Sequence, residues 1–199
     1  MSKDLFSAIQ DRRSIYGISK ETVIPDERII EIVNYAAKHA PSAFNSQSGR
    51  AVVLLGEHHN KLWDITMEAL RKKVPEGKFA PTEAKINSFR GGYGSVLFFE
   101  DQETVKGLQE RFPSYSENFA LWSLQSSGML QYIVWTSLEA EGFGASLQHY
   151  NPLIDDAVKK EWNIPESWRL MSQMVFGKPT APAGEKEFKP LEERVKVFR

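Results

Sequence analysis

Cysteine is absent from this sequence of 199 residues. Its absence excludes disulfide bonds, thiolate nucleophiles and cysteine-ligated zinc or iron–sulfur centres. The sequence also lacks any apolar run that approaches the roughly 18 residues needed to cross a bilayer. The first residues place acidic and basic side chains beside apolar ones, without an apolar signal core, so we expect a cytoplasmic protein with no membrane partner.

A surplus of charge of either sign is missing as well. The sequence has 25 Lys and Arg against 26 Asp and Glu, which gives a formal net charge of −1. Nucleic-acid-binding proteins need a basic surplus to release counterions, so we expect no nucleic-acid partner. The four histidines lack the spacing of a metal site, and no metal is predicted. His58 and His59 follow a Gly-Glu turn and are expected in solvent.

The sequence does contain an ordinary share of core-forming residues, with 41% hydrophobic and 12% aromatic side chains. Its length and composition predict one domain over residues 1–199. The predicted helices are 4–13, 26–40, 58–73, 82–90, 102–112, 117–141 and 151–162, and the predicted strands are 51–55, 95–99, 145–148 and 171–176. This irregular alternation favours a mixed α/β or α+β domain with helices flanking one sheet.

The longest predicted helix, 117–141, carries apolar side chains on nearly all of its faces. A helix that is apolar all round is buried, so we expect it at the centre of the domain or in a subunit interface. The tail from residue 177 onwards is polar and contains three prolines. We expect this tail either to lack regular structure or to add a strand to a partner.

Three short segments combine residues that could bind a ligand. Arg12, Arg13 and Ser14 could hold a phosphate, although basic residues at a helix end also complement the helix dipole. The polar loop at 41–47 could read the edge of a heterocycle, or could stabilise a turn by local hydrogen bonds. Residues 142–147 match a dinucleotide-binding fingerprint only in part, and a helix C-cap followed by a tight turn is the favoured interpretation.

Four segments, in this order along the sequence, resemble the FMN-dependent nitroreductase family. They are Arg12-Arg13-Ser14, the pattern Pro-Ser-x-x-Asn-x-Gln at 41–47, the Gly-rich turn at 142–147 and the basic segment with Lys186 and Lys189. The amino-acid sequence at 12–16, 135–139 and 144–152 is similar to that of the subgroup related to the yeast fatty-acid-repression nitroreductase-like proteins. The resemblance covers nearly the whole chain.

The resemblance implies an α+β fold, namely a nitroreductase-like α-β-α sandwich with a central, mainly antiparallel sheet. It also implies an intertwined homodimer, in which 117–141 is a long buried interface helix and the tail 177–199 extends to the partner subunit. FMN would lie at the subunit interface, so that each site would draw on both chains.

The phosphate side of FMN is implied to meet basic residues from both ends of the sequence. Arg12 and Ser14, with Lys186 or Lys189, would hold the phosphate. Arg13 would reach either the phosphate or the carbonyl edge of the flavin ring.

The ring side of FMN is implied to meet two other segments. Asn45 and Gln47 would read the ring and the ribityl hydroxyls. The residues implied to line the flavin are Ser146, Leu147, Gln148 and His149, and those implied to line the substrate slot are Phe44, Phe89, Tyr115 and Trp122. His149 would either face flavin N5 or pack against the protein.

The chemistry implied by the resemblance belongs to the cofactor. FMN would take a hydride at N5 from NADH or NADPH and pass it to a nitroaromatic or quinone-like acceptor in a ping-pong sequence. No side chain is implied as a general acid or base. The alternative is a flavin-binding stress-response or regulatory protein with incidental reductase activity, which the sequence does not separate from an enzyme.

Overall fold

A computed structural model of the chain describes residues 3–199. The helices are α1 (Leu5–Asp11), α2 (Asp26–His39), α3 (Gly56–Arg71), α4 (Ala80–Arg90), α5 (Gln102–Arg111), α6 (Ser116–Ala140) and α7 (Asp155–Trp162). The strands are β1 (Ile18–Ser19), β2 (Gly49–Leu55), β3 (Gly94–Asp101), β4 (Gly144–Gln148) and β5 (Trp168–Pro179). Each predicted helix and strand is present, with its ends shifted by a few residues.

The sheet is built around β5, the longest strand. β5 pairs antiparallel with β3 on one side, and with β4 and β1 near its C-terminal end. β2 pairs antiparallel with the outer side of β3. The order across the sheet is therefore β2–β3–β5–β4, with the two residues of β1 beside the end of β5. The sheet is mainly antiparallel, as predicted.

The alternation of side chains along β3 explains why helices cover both faces of the sheet. All eight residues of β3 are buried. Val96 and Phe98 point to one face, where they pack with residues of α2 and α6. Leu97 and Phe99 point to the other face, where they pack with residues of α3, α4 and α7. These three layers confirm the predicted α-β-α sandwich and its α+β class.

Helix α6 is covered by other elements over most of its C-terminal half, whereas its N-terminal half has an exposed face. Leu130, Val134 and Leu138 are buried against the sheet. On the opposite side Leu121 is 54% and Leu124 is 44% exposed. A central position for this helix is therefore excluded, and its placement in a subunit interface stays a prediction.

Two other segments depart from their predictions. The short strand β1 was not predicted, because two residues carry no periodicity. Helix α7 begins at Asp155 and not at residue 151, since 151–154 form a turn. Beyond Pro179 the tail adds no strand to the described part of this chain, and its only regular element is a short turn at Leu191–Glu193. Among residues 3–199, no helix has the length and apolar character to cross a membrane.

The Gly-rich turn between α6 and β4 is confirmed as a helix cap. Gly142 has a φ of +97°, and its N–H donates to the Glu139 carbonyl at 2.8 Å. Gly144 has a different role, because a Cβ there would lie 2.7 Å from the side chain of Ile15. Only glycine therefore lets the segment that follows α1 pack directly on β4.

His59 is buried, so the expectation that it lies in solvent is wrong. Its Nδ1 lies 3.0 Å from the Ser95 hydroxyl, which also accepts a hydrogen bond from Trp63 Nε1 at 3.2 Å. Burial lowers the pKa of His59 from 6.5 to about 4. His58, the preceding residue, is exposed as predicted.

The buried imidazole predicts a specific acid sensitivity. His59 is neutral in the folded state and gains a proton on unfolding below pH 6.5, so its contribution to stability is lost as the pH falls from 6.5 towards 4. A shift of this size corresponds to about 3 kcal/mol. We expect the difference in unfolding free energy between wild type and His59→Gln to shrink by about that amount between pH 7 and pH 4, in urea titrations. A His59→Gln difference that stays constant over this range would contradict the prediction.

A second prediction concerns Phe89, which is fully buried on α4 with its ring 4.9 Å from that of Trp63. Truncation of a buried phenylalanine leaves a cavity, so Phe89→Ala should lower the unfolding free energy by about 3–5 kcal/mol. Lys106→Ala, at an exposed side chain on α5, is the control and should change it by less than about 0.5 kcal/mol. Equal effects of the two truncations in urea unfolding would show that Phe89 is not part of the core.

Candidate functional site

The first cluster of predicted site residues lies at the outer edge of β4. After α1 the chain turns and forms an isolated parallel bridge between Ser14 and Ala145. The N–H of Ile15 donates to the Ala145 carbonyl at 2.9 Å. This contact brings the segment at 12–14 to the same edge as 146–149, although more than a hundred residues separate the two in sequence.

Arg12 lies in this cluster with its cation unpaired. The guanidinium carbon lies 4.6 Å from the centre of the Trp135 ring on α6, close enough for a cation–π contact. Its Nε is buried and has no hydrogen-bond partner among the described residues. A buried donor without a partner costs free energy, so this side chain is suited to an anionic ligand that supplies the missing acceptor.

The neighbouring Arg13 contacts the start of the tail. Its Nη2 donates to the Gly184 carbonyl at 2.9 Å. The two tail lysines lie further on and are exposed, with Lys186 Nζ placed 5.0 Å from the centre of the Phe188 ring. The structure therefore brings the base of the tail to this cluster, while the roles of Lys186 and Lys189 stay predictions.

Strand β4 contributes mainly backbone groups to the cluster. Ser146 is fully buried, and its hydroxyl accepts a hydrogen bond from Gln148 Nε2 at 3.0 Å, so neither side chain is directed to a ligand. Because successive backbone groups alternate in direction, Leu147 presents its N–H and C=O on the same outer side as Ala145. His149 follows the strand and is exposed. We call Arg12, Ser14, Leu147 and His149 the β4-edge cluster.

The second cluster is the loop at 42–48, which leads into β2. Phe44, Asn45 and Gln47 all have positive φ values, of 55°, 50° and 49°. Such conformations are strained for residues with a side chain, and they cluster at ligand-binding sites. The loop is braced internally, since the Ser42 hydroxyl accepts a hydrogen bond from the Gln47 N–H at 2.9 Å. Asn45 and Gln47 are both exposed.

Aromatic rings cluster around Phe44 next to this loop. The Trp122 ring is nearly parallel to it, with centroids 6.2 Å apart and an angle of 19° between the planes. Phe119 and Tyr115 pack at 5.3 Å and 6.1 Å from it. Three of the four predicted slot residues, Phe44, Tyr115 and Trp122, therefore lie together. A cleft of about 340 Å³ opens beside them, lined by Ala43, Phe44, Trp122, Gln125, Ser126 and Met129.

Phe89 is not part of this slot, which corrects the sequence prediction. It lies on the opposite face of the sheet, in the core formed by α3, α4 and α7. Its partner three residues earlier on α4, Ile86, is also fully buried. This i, i+3 spacing of two large apolar residues was the signal in the sequence that Phe89 belongs to a core-facing helix stripe.

The two clusters lie at opposite edges of the sheet. The β4-edge cluster is beyond β4, and the 42–48 loop precedes β2. Three strand spacings separate these edges, about 14 Å at the usual distance between strands. The buried strands β3 and β5 stand between them. A single chain therefore does not bring Asn45 and Gln47 together with Arg12 and Ser14.

Sequence reasoning missed two residues of these surroundings. Trp135, which lies against Arg12, was interpreted only as part of an apolar helix, and its contact depends on a tertiary approach. Gln173 on β5 is fully buried with its Nε2 unpartnered among the described residues, while its Oε1 accepts the Tyr150 N–H at 2.8 Å. A lone glutamine in an apolar strand was the available signal. Within residues 3–199 no group of three His, Asp or Glu side chains is placed to hold a metal ion.

The sequence is related to named nitroreductases over almost its full length. The Saccharomyces cerevisiae nitroreductase-type protein HBN1 is 40% identical over 191 residues, which cover 94% of this chain and 93% of HBN1. The nitroreductase FRM2 of the same yeast is 36% identical over 186 residues, covering 92% and 91% of the two chains.

Solved structures of a nitroreductase have the same fold as this chain. The nitroreductase CinD from Lactococcus lactis, solved in complex with chloramphenicol, is 45% identical and superposes with a TM-score of 0.90 over 98% of this chain and 100% of CinD. CinD has also been solved with 4-nitrophenol and with nicotinic acid. The model of the nitroreductase family matches residues 9–178. The family model spans most of the chain, and both yeast relatives are at least 36% identical over more than nine tenths of it. This chain therefore belongs to the nitroreductase family.

Proposed function

We propose that this protein is an FMN-dependent oxidoreductase that reduces nitroaromatic or quinone-like acceptors, with NADH or NADPH as the hydride donor. Two complexes of CinD support the acceptor class, because chloramphenicol and 4-nitrophenol both carry a nitro group on an aromatic ring. Its complex with nicotinic acid supports a nicotinamide donor, since the two share a pyridine ring.

The observation that carries the FMN proposal is the unpaired guanidinium of Arg12. Its buried Nε lacks an acceptor among the described residues, and the exposed Ser14 hydroxyl is two residues away at the same edge. A phosphate would accept hydrogen bonds from both side chains and neutralise the cation. The residues present therefore fit the phosphate end of FMN. Lys186 or Lys189 would add a second cation from the tail.

Bound FMN would supply the redox chemistry, namely the transfer of a hydride from the nicotinamide to the acceptor in a ping-pong sequence. The chain's own residues bind and orient. The outward N–H and C=O of Leu147 are available to the flavin edge, and His149 lies next to them. Protons come from solvent, so we assign no side chain as a general acid or base.

The ring side of the site is proposed to come from a second copy of the chain. Asn45 and Gln47 cannot join Arg12 within one chain, because β3 and β5 stand between them. In a two-fold homodimer the 42–48 loop of one chain would lie against the β4-edge cluster of the other, and the reverse. Each of the two sites would then use both chains.

The surface proposed for this contact is the uncovered face of α6. Leu121, Leu124, Gly128 and Tyr132 recur at intervals of three or four, with Met129 next to Gly128, so they form one stripe along the helix. We define this outer stripe as Leu121, Leu124, Gly128, Met129 and Tyr132. Contiguous apolar surface of this kind marks a protein–protein contact in soluble proteins. The exposed apolar side chains of the tail would add to the same interface.

The aromatic cleft beside Phe44 is proposed to receive the acceptor. A flat nitroarene would stack on Phe44 or Trp122, whose rings are already nearly parallel. Because Phe44 belongs to the 42–48 loop, the acceptor would lie next to the flavin ring read by Asn45 and Gln47.

The direct test is the cofactor and the turnover of the purified protein. We expect a yellow dimer that releases FMN, and not FAD, on heating. It should oxidise NADH or NADPH faster when 4-nitrophenol or a benzoquinone is added. A colourless protein that FMN does not reconstitute would overturn the proposal. Flavin binding without acceptor-dependent turnover would instead support a regulatory protein.

The roles of Arg12 and Asn45 predict different sensitivities to salt. Arg12→Ala removes charge-assisted hydrogen bonds of about 1.5–3 kcal/mol and should weaken FMN affinity about tenfold to a hundredfold. The difference in affinity between this variant and the wild type should become smaller as salt is added. Asn45→Ala removes neutral contacts and should weaken affinity by about 1 kcal/mol at any salt concentration. The measurement is FMN titration by fluorescence quenching at low and high salt.

The control for this pair is Arg71→Ala, at an exposed arginine on α3 that is remote from both clusters. It should bind FMN as the wild type does. If Arg12→Ala and Asn45→Ala also behave like the wild type, the assignment of the phosphate and ring sides is wrong.

Gly128 gives a prediction for the interface. A Cβ at this position meets nothing within 4 Å in the chain, so Gly128→Arg is tolerated by the isolated fold. In the proposed dimer the added side chain would prevent the outer stripe from packing. We expect Gly128→Arg to be monomeric by light scattering at micromolar concentration, and to lose FMN.

Gly107→Arg is the matched control, because Gly107 is also an exposed helical glycine with open space around it. It should remain dimeric and yellow. A dimeric, FMN-bound Gly128→Arg protein would show that the outer stripe is not the interface.

A further inference from the structure

A buried carboxyl lies directly beneath the 42–48 loop. Glu100, near the end of β3, is 0% exposed. It is on the sheet face covered by α6, where its Oε1 would lie 3.7 Å from a Cβ at Gly49. Oε2 accepts a hydrogen bond from the Ser48 hydroxyl at 2.7 Å, whereas Oε1 has no partner among the described residues. A buried acid of this kind has no part in the proposed catalytic chemistry.

Among residues 3–199, no cation forms a salt bridge with Glu100. The positive charge of Arg50 on β2 acts on it, but Arg50 Nη2 donates to Asp101 at 2.8 Å and its guanidinium lies over Trp168. Arg169 is opposite Glu100 in the β3–β5 register and is exposed, and no salt bridge joins it to Glu100 in the described part of the chain. The negative charge of Asp101 acts from the next position on β3. The α6 residues lining this region, Ser126 and Leu130, do not titrate.

Ser48 connects this acid to the loop, because it is held by β3 at two points. Its carbonyl accepts the Asp101 N–H at 3.0 Å, and its hydroxyl donates to Glu100. The backbone bond continues the sheet, while the side-chain bond fixes the rotation of the residue that follows Gln47. Gln47 has a positive φ, and such a strained residue persists only where its surroundings hold it in place.

We propose that Glu100 is a positioning residue for the 42–48 loop: through its hydrogen bond to Ser48 it holds Asn45 and Gln47 in the geometry that binds FMN. This inference rests on the proposed FMN function. Glu100 touches neither cofactor nor substrate, and acts only through Ser48.

The surroundings of Glu100 disfavour its ionised form. Burial raises the pKa of its carboxyl, and the Ser48 hydrogen bond and Arg50 only partly oppose this. The Ser48 hydrogen bond by itself favours the ionised form, but a buried carboxylate without a cation is costly, so it would draw water or Arg169 inward and open the packing beneath the loop. As the pH rises through the raised pKa, the loop should therefore loosen and FMN affinity should fall.

The test compares three variants by FMN titration across a pH series. Ser48→Ala removes the donor and should weaken FMN affinity about fivefold, the size of one neutral hydrogen bond. Glu100→Leu should weaken it at least as much. Glu100→Gln keeps an acceptor of the same shape without a charge, so it should match the wild type at low pH and keep its affinity at high pH. The FMN phosphate itself titrates near pH 6, but it does so in every variant, and the comparison removes its effect.

Two controls make the outcome unambiguous. Glu103→Gln, at an exposed glutamate on α5, should show the wild-type pH profile. Hydrogen exchange of the amides at 42–48 without FMN gives a readout independent of the cofactor, and Ser48→Ala should speed that exchange even if Glu100→Leu fails to fold.

These measurements distinguish a failure of the positioning role from a failure of the proposed FMN function. A pH profile shared by wild type and Glu100→Gln, with unchanged loop exchange in Ser48→Ala, would overturn the positioning role while leaving the FMN function intact. A wild type that binds no FMN would overturn the proposed function. In that case faster loop exchange in Ser48→Ala, and in the wild type at high pH, would still support Glu100 as the residue that holds the loop.

Discussion

The pairing of β5 with three other strands is the contact on which the rest of the structure depends. It places β4 at one edge of the sheet, where Gly144 allows Ser14 to approach. The other side of β5 pairs with β3, so β2 and the 42–48 loop lie at the opposite edge of the sheet. The same arrangement that assembles the β4-edge cluster therefore keeps the loop away from it. In the proposed function, a second copy of the chain therefore completes the ligand site.

Much of the secondary structure could be predicted because it depends on local physics. Helical spacing of apolar residues, Pro41 after α2 and Gly142 after α6 mark elements whose ends are set by nearby residues. Strand pairing is different, since it depends on which distant segments meet. Neither segment's amino-acid sequence contains a pattern that predicts the bridge between Ser14 and Ala145. The two residues of β1 are too few to show the alternation of a strand.

In the candidate site too, residues in short sequence motifs were predicted, whereas residues whose surroundings depend on distant contacts were missed. Arg12, Ser14 and Asn45 were predicted from short motifs, and their roles towards a ligand stay predictions. The error over Phe89 arose because an aromatic residue suits a slot and a core equally well, and its spacing from Ile86 went unused. Glu100 was missed because the strand was predicted to end at Phe99, which left a buried acid looking like a surface residue.

The separation of the two clusters has a consequence for inheritance. In the proposed dimer each pocket takes its phosphate side from one chain and its ring side from the other. A mixed dimer of an Arg12-defective chain and an Asn45-defective chain would contain one pocket with both lesions and one pocket with neither. Two different loss-of-function alleles would therefore complement each other in one cell, whereas two alleles that damage the same edge of the sheet would not.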